Sequence, residues 1–338
     1  MPDAPAHQRT LRLGTRGSQL ARWQAEWVAE QLHSLGRKVE LVEIATHGDR
    51  ERVRPVEEIG TRGVFTKEIQ RALLAGNVDL GVHSLKDLPT EPVDGLVVAA
   101  VPARESPADV LVTSAQNGEP AAQSGGYSAQ ENSPLPAPYS SLPKGARVGT
   151  GSLRRQAQLR HVRPDLVIQD IRGNVDTRLR KLDDGEFDAI VLAEAGLRRL
   201  GLTNRISQVL PFNIMLPAVG QGALAIECRA EDDATRAALD PLEDSITRAA
   251  VLAERSLLAA LRGGCMAPVG ARGRIEGDAL HLSAVVLSVD GRRRLEAHDR
   301  SSSSDLSPVE ELGRRVAQAL LDQGAAELIA ASRSDFSS

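Results

Sequence analysis

Four polar clusters carry residue types suited to gripping a charged ligand. They are Thr15-Arg16-Gly17-Ser18, His83-Ser84-Leu85-Lys86-Asp87, Thr150-Gly151-Ser152-Leu153-Arg154-Arg155 and Arg172-Gly173-Asn174-Val175-Asp176-Thr177-Arg178. Each follows a short apolar run and opens a helical pattern or a turn. In open α/β sheets, ligands bind beyond the carboxyl ends of strands, where helix N-termini offer free N–H groups and partial positive charge. Glycine and serine let the backbone come close, and arginine adds full charge in a planar fork. Four such clusters predict a cleft for an anion with several negative groups. Phosphate sites usually show a denser glycine loop. Here single glycines alternate with arginines, which favours separate carboxylates, each charge-assisted bond supplying about 1.5–3 kcal/mol.

Asp87 is an acid inside this basic set, directly after Lys86. Its bland role is a salt bridge or a turn cap. Its chemical role is to stabilise a positive charge developing on the ligand, or to move a proton. Cys265 lies in Leu261-Arg262-Gly263-Gly264-Cys265-Met266-Ala267-Pro268. Two glycines before it and a proline after it predict a tight loop and an approachable nucleophile. Cys228 closes an apolar run over 223–227 and reads as an inert small hydrophobe. His83 reads as structural, because no metal partner sits at ligand spacing.

These residues need strands and helices to place them. Apolar runs predict strands over 11–14, 39–45, 78–82, 96–101, 110–113, 147–149, 166–171, 189–193 and 223–228. Helical spacing predicts helices over 18–35, 66–75, 152–161, 175–184 and 248–261, with Ser18 as an N-cap and Gly76 as a C-terminal stop. The alternation predicts an α/β fold with mostly parallel sheets. At 338 residues, two or three domains are expected. Hydrophobic residues are 41% but aromatics only 2%, so the cores must be aliphatic. Of the 41 basic residues only five are lysines, which leaves arginine to do the charge recognition.

Several classes are excluded. A net charge of −4 argues against a general nucleic-acid or membrane-surface binder. Two cysteines provide no disulfide framework and no cysteine-rich zinc site, which suggests a reducing compartment. The first ten residues lack the apolar core of a signal peptide, and no apolar run approaches the roughly 20 residues that span a bilayer. Gly220-Gln221-Gly222 lacks the rest of a dinucleotide fingerprint. The stretch 114–143 has no lysine or arginine, holds both tyrosines, and reads as a mobile surface insertion. The extreme N-terminus and the tail from Ser332 read as disordered.

Together the clusters resemble one family, porphobilinogen deaminase (hydroxymethylbilane synthase). The matching stretches are LRLGTRGSQLARWQA (11–25), GVFTKEIQRALLAGNVDLGVHSLKDLPT (63–90), VGTGSLRRQAQLRHVRPDL (148–166), IRGNVDTRLRKLDDGEFDAIVLAEAGLRRLGL (171–202), LPAVGQGALAIECR (216–229) and ERSLLAALRGGCMAPVGA (254–271). The resemblance implies a transferase of tetrapyrrole (haem) biosynthesis. It joins four porphobilinogen molecules head to tail, releases ammonia each time, and hydrolyses off hydroxymethylbilane. It implies one dipyrromethane cofactor per chain, built from the substrate and held as a thioether on the residue matching Cys265. Each pyrrole carries an acetate and a propionate, so a fully extended primer presents about a dozen carboxylates to the arginines.

By the same resemblance Asp87 is catalytic. Ser84, Lys86, Asp87, Thr150, Ser152, Arg154, Arg155, Arg172 and Gly173 hold the cofactor. Arg16, Ser18, Arg62, Arg172, Arg178, Arg199 and Gln221 hold the substrate, and no metal is implied. The implied fold is two periplasmic-binding-protein-like α/β lobes with a hinge, plus a smaller α+β C-terminal domain. Domain 1 would cover 1–102 and 223–240, domain 2 would cover 108–216 with its insertion at 115–142, and domain 3 would cover 245–338. The crossings would be 102–107 and 217–222. A cytoplasmic monomer without nucleic-acid or membrane partners is expected. Two departures stand out: Arg62 where the family commonly has lysine, and Glu58 where another basic residue is common. Two other readings stay open, an anion-clamping binding module and a redox sensor using Cys265. Intact mass separates them from the enzyme.

Overall fold

The computed structural model describes residues 9–44, 66–114, 142–264, 267–302 and 309–334. Two five-stranded sheets share one plan. The first contains β1 (Leu11–Thr15), β2 (Val39–Glu43), β3 (Leu80–Ser84), β4 (Leu96–Ala100) and β10 (Leu224–Arg229), in the order β2-β1-β3-β10-β4. The second contains β5 (Asp109–Thr113), β6 (Arg147–Gly149), β7 (Val167–Gln169), β8 (Ala189–Ala193) and β9 (Gln208–Val209), in the order β7-β6-β8-β5-β9. In each, the second strand in the order runs parallel to both neighbours, and the fourth runs antiparallel to both of its own. That fourth strand is β5 or β10, the one that directly follows a passage between the sheets. The expectation of mostly parallel sheets is therefore corrected. A strand delivered by a passage enters its sheet from the opposite end, which local apolar runs cannot reveal.

Helix α1 (Gln19–Ser34) begins at Ser18, whose Oγ accepts the N–H of Ala21 at 3.3 Å, as the N-cap pattern predicts. Its Ala25, Val28, Ala29 and Leu32 pack on Leu11, Leu13, Leu80 and Ile226 of the first sheet. Each such buried Val or Leu stabilises by about 1.5–3 kcal/mol. Helix α2 (Lys67–Leu74) covers the same sheet through Ile69 and Leu73. Helices α3 (Leu153–Val162), α4 (Val175–Asp183) and α5 (Glu194–Arg199) attend the second sheet, and α6 (Asp233–Leu239) follows β10.

A third, antiparallel sheet gives the expected α+β C-terminal domain its strands, none of which the apolar runs had marked. It orders β11 (Val269–Glu276), β12 (Ala279–Leu287) and β13 (Arg294–Ser302). Its inner face, with Ala271, Leu282, Ala284 and Val286, packs on α7 (Ser245–Ala260) and α8 (Val309–Asp322). The tail is also corrected. Helix α9 (Ala325–Ser334) passes through Ser332, which is buried and donates its hydroxyl to the Ile329 carbonyl at 2.8 Å. The insertion at 115–141, the extreme N-terminus and residues 335–338 lie outside the described residues. No described helix is long and apolar enough to cross a membrane.

The chain leaves the first sheet after β4 and returns to it at β10, so two passages join the lobes. They run backbone to backbone. The Glu105 N–H donates to the Gly222 carbonyl at 3.2 Å, and a Cβ at Gly222 (φ 89°) would collide with the carbonyl oxygens of Glu105 and Ser106. Both passages are fastened to one carboxylate, that of Glu254 on α7, which is fully buried. Its Oε1 accepts from Arg104 Nη1 and the Gly273 N–H, both at 2.7 Å. Its Oε2 accepts from the Gly220 N–H at 2.7 Å and Arg104 Nη2 at 3.1 Å. Arg104 also donates from Nε to the Gln221 carbonyl at 2.8 Å. Removing one partner strands a buried charge. Glu254→Ala is expected to cost about 3–5 kcal/mol in urea unfolding. An unchanged midpoint would show that this junction supports nothing.

Candidate active site

A cavity of about 320 Å³ opens between the first two sheets. Among the described residues, five cations line it, Arg16, Lys86, Arg155, Arg178 and Arg199, against two carboxylates, Asp87 and Asp176. The first lobe contributes the β1–α1 junction, with Arg16 and Ser18, and the end of β3, with Ser84, Lys86 and Asp87. The second contributes Arg155 from α3, Gly173 and Arg178 from the start of α4, and Arg199 from α5.

The acid is held by its neighbours in the chain. Leu85 is buried and its N–H donates to the Ala223 carbonyl at 3.0 Å. This roots the single turn Leu85–Asp87 in the core and leaves Lys86 and Asp87 on the cavity side. Ser84 Oγ accepts from Gln24 Nε2 at 2.9 Å. Burial lowers the Lys86 ammonium to about 8, with Arg155 pushing the same way and Asp87 opposing. Burial likewise lowers Arg178 and Arg199, each to about 10. A carboxylate entering the cavity restores charge balance to all three.

Two of the expected ligand-binding arginines are already engaged by a carboxylate of the chain. Asp109, fully buried at the head of β5, takes Arg154 Nη1 at 2.6 Å and Arg155 Nε at 2.9 Å. Burial alone would raise this carboxyl, but the two guanidinium groups and a bond from Gln221 hold it well below the usual range. Arg155 still reaches the cavity, whereas Arg154 turns to the Leu216 carbonyl at 2.6 Å. Gln221 is buried too, donating to Asp109 Oδ1 at 2.9 Å and the Pro107 carbonyl at 2.7 Å. Thr150 is buried behind the cavity wall, where its Oγ1 accepts the Ser152 N–H at 3.3 Å. Arg172 is exposed and pairs with Asp170 at 2.7 Å, outside the lining. Arg178 Nε donates to the Gly173 carbonyl at 2.7 Å. Arg199 Nη2 donates to the Gly222 carbonyl at 2.6 Å, and its guanidinium carbon lies 5.9 Å from the centre of the Trp23 ring.

The structure thus brings together Arg16, Ser18, Ser84, Lys86, Asp87, Arg155, Gly173, Arg178 and Arg199. It sets Thr150, Ser152, Arg154, Arg172 and Gln221 around rather than in the lining. Cys265, Arg62 and Glu58 lie outside the described residues. Between the end of α7 and Cys265, Arg262 (φ 51°) and Gly264 (φ 62°) are both left-handed. Burial pushes the Cys228 thiol up to about 11, which leaves it unreactive near neutrality, as its apolar run suggested. Sequence reasoning missed Gln24, Trp23 and Asp109. Asp109 alone left a signal, an acid at the head of an apolar run.

A two-lobed α/β protein, closed around a cationic cleft with one core-rooted acid, is built to hold a polycarboxylate. A family model described as porphobilinogen deaminase, dipyromethane cofactor binding domain, matches residues 11–237. A second, described as porphobilinogen deaminase, C-terminal domain, matches 248–322. A porphobilinogen deaminase of Geobacter sulfurreducens is 44% identical over 322 residues, covering 95% of this chain and 94% of the relative. One of Xanthomonas oryzae pv. oryzae is 48% identical over 324 residues, covering 95% and 99%. Among solved structures, the methionine-binding protein MetQ is similar at a TM-score of 0.39 and 14% identity, over 69% of this chain and 88% of that one. The sulphonate-binding protein SsuA of Escherichia coli is similar at 0.34 and 18%, over 75% and 70%. The chain belongs to the porphobilinogen deaminase family.

The lowered Lys86 gives a pH signature. Below about 8 the ammonium is charged and can hold a carboxylate, and above that it is neutral and cannot. Since the resemblance gives Lys86 to the cofactor rather than to the incoming substrate, raising the pH from 7 to 9 is expected to lower kcat by about 3–10-fold with KM for porphobilinogen little changed. Lys86→Arg, charged throughout, should flatten that fall. Parallel profiles for the two proteins would remove Lys86 from carboxylate binding.

Proposed function

We propose that this cavity condenses porphobilinogen, four molecules head to tail, onto a dipyrromethane primer carried by Cys265, and then releases hydroxymethylbilane by hydrolysis. The observation that carries the reading is Asp87, an exposed acid on a core-rooted turn inside a ring of five cations. The donor set suits the cofactor, whose acetate and propionate groups match guanidinium, ammonium and hydroxyl partners. When bound, the dipyrromethane supplies the pyrrole carbon on which the chain grows.

The protein's own groups then divide the work. Arg16, Arg178 and Arg199, with Ser18, hold the carboxylates of the incoming substrate. Lys86, Arg155, Ser84 and Gly173 hold those of the primer. Thr150, Ser152, Arg154, Arg172, Gln221 and Arg62 complete the binding set, the buried ones by fixing the residues that touch the ligand. The Asp87 carboxylate stabilises the positive charge left on the substrate as ammonia departs. The same oxygens take up the proton shed when the rings couple. An amide in their place keeps the shape and loses both the charge and the proton site.

The proposed domains are 1–102 with 223–240, 108–216 and 245–338. The three sheets support this division, as do the two passages between the first two. We further propose a monomer working in the cytoplasm without a nucleic-acid partner. The net charge of −4 supports the lack of a nucleic-acid partner and the lack of a disulfide framework supports the compartment, while the monomer rests on the family resemblance alone.

Intact mass tests the proposal directly. A covalent addition of two pyrrole units at Cys265 is expected, with stepwise further additions once porphobilinogen is supplied. An unmodified thiol in turning-over protein would sink the cofactor assignment. Asp87→Asn is expected to fold and to lose about 100-fold or more in single-turnover rate. Near-normal turnover in that variant would refute the role given to Asp87.

A further inference from the structure

Behind the catalytic turn lies a buried polar cluster that the reaction, as described, does not use. His83, on β3 one residue before the Ser84–Asp87 segment, is 4% exposed, and its ring lines the cavity wall. Its Nε2 lies 3.0 Å from Glu227 Oε2, with both side chains buried. Glu227 is on β10, and its two oxygens also take the Gln70 amide of α2, from Nε2 at 3.2 and 3.1 Å. Three elements therefore meet at one carboxylate.

The register explains the meeting. His83 pairs with Ala225 and Gly81 with Glu227, so His83 and Glu227 are diagonal neighbours on one face of the sheet. The residue opposite Glu227 has no side chain. A Cβ at Gly81 would collide with Ile69 of α2 and lie 3.5 Å from His83 Nε2. Glycine there lets α2 sit close and keeps the diagonal open. Around the cluster the packing is apolar, with Ile69, Leu73, Val78 and Leu96. An apolar trio would fill such a place without the cost of desolvating a carboxylate. What the polar trio adds is direction. The Gln70 amide fixes the Glu227 carboxylate, and the carboxylate stands 3.0 Å from His83 Nε2, so the ring is hemmed in at the end of the strand from which Lys86 and Asp87 emerge.

We propose that His83, set against a Glu227 carboxylate that Gln70 holds in place, is a positioning residue for Asp87, a proposal that rests on the condensation reading above. The histidine sets the angle at which the acid enters the cavity and links it to α2, whose N-cap Thr66 lines the same cavity. Misplacing a catalytic group by about 1 Å costs on the order of 100-fold in rate. The role therefore acts on kcat rather than on binding.

The test uses the full chain carrying its cofactor, with rates normalised to the loaded fraction read from intact mass. His83→Ala is expected to lower kcat for ammonia release by about 10–100-fold while KM for porphobilinogen stays within about twofold. His83→Gln, whose amide nitrogen can take the place of Nε2, should recover most of the loss, and His83→Asn, which is too short, should not. Independently of turnover, Glu227→Gln should raise hydrogen–deuterium exchange about tenfold over residues 80–88 and leave 147–149 of the second sheet unchanged. Wild-type kcat in folded His83→Ala would overturn the proposal. So would equal losses in the alanine and glutamine variants with KM rising in step. If the wild-type chain releases no ammonia from porphobilinogen, the functional reading fails, while the exchange arm still reports whether the cluster holds the turn.

Discussion

One buried carboxylate holds the molecule to its plan. Glu254 is a charge taken fully out of water, which is affordable only because Arg104 and two backbone N–H groups meet it. Those partners are not local. Arg104 belongs to the outgoing passage between the lobes, Gly220 to the returning one, and Gly273 to the third sheet. A single ion on α7 thereby ties three sheets into one molecule. The cavity depends on that tie, because its two walls belong to different sheets and meet only as the passages let them.

The arginines divide into two kinds. Arg154 and Arg104 are spent on buried acids and on carbonyls of the chain, where they behave as scaffold. Arg16 lines the cavity, where ligand carboxylates can reach it. Arg155, Arg178 and Arg199 are held by internal oxygen atoms and line the cavity as well. A guanidinium with several donors can be fixed by one edge and still present another. That double use gives a rigid array of positive charge, so little side-chain entropy is lost when an anion arrives.

The clusters at strand ends were legible because glycine, serine and arginine after an apolar run is a local pattern. The root of Asp87 was partly legible in Leu85, an apolar residue between polar ones. What stayed hidden is long-range. Nothing near Arg154 in the chain announces Asp109, 45 residues earlier, so a scaffold arginine reads like a ligand-binding one. The antiparallel placement of β5 and β10 depends on a partner strand far away in sequence. The strands of the third sheet, expected only in outline, escaped for a different reason. Gly270 and Gly273 interrupt the apolar alternation of β11, and β13 alternates polar residues with half-buried ones. Both strands look like loops until α7 and α8 supply the covering face.

The contact of Gly222 with Glu105 and Ser106 has a mechanical result. Two tethers lying flush against each other behave as a flat strap rather than as two cords. A strap bends readily about its broad side and resists twisting. Any shift of one lobe against the other must therefore carry both tethers together, since a gap between them would cost their shared bond and the close fit that glycine allows.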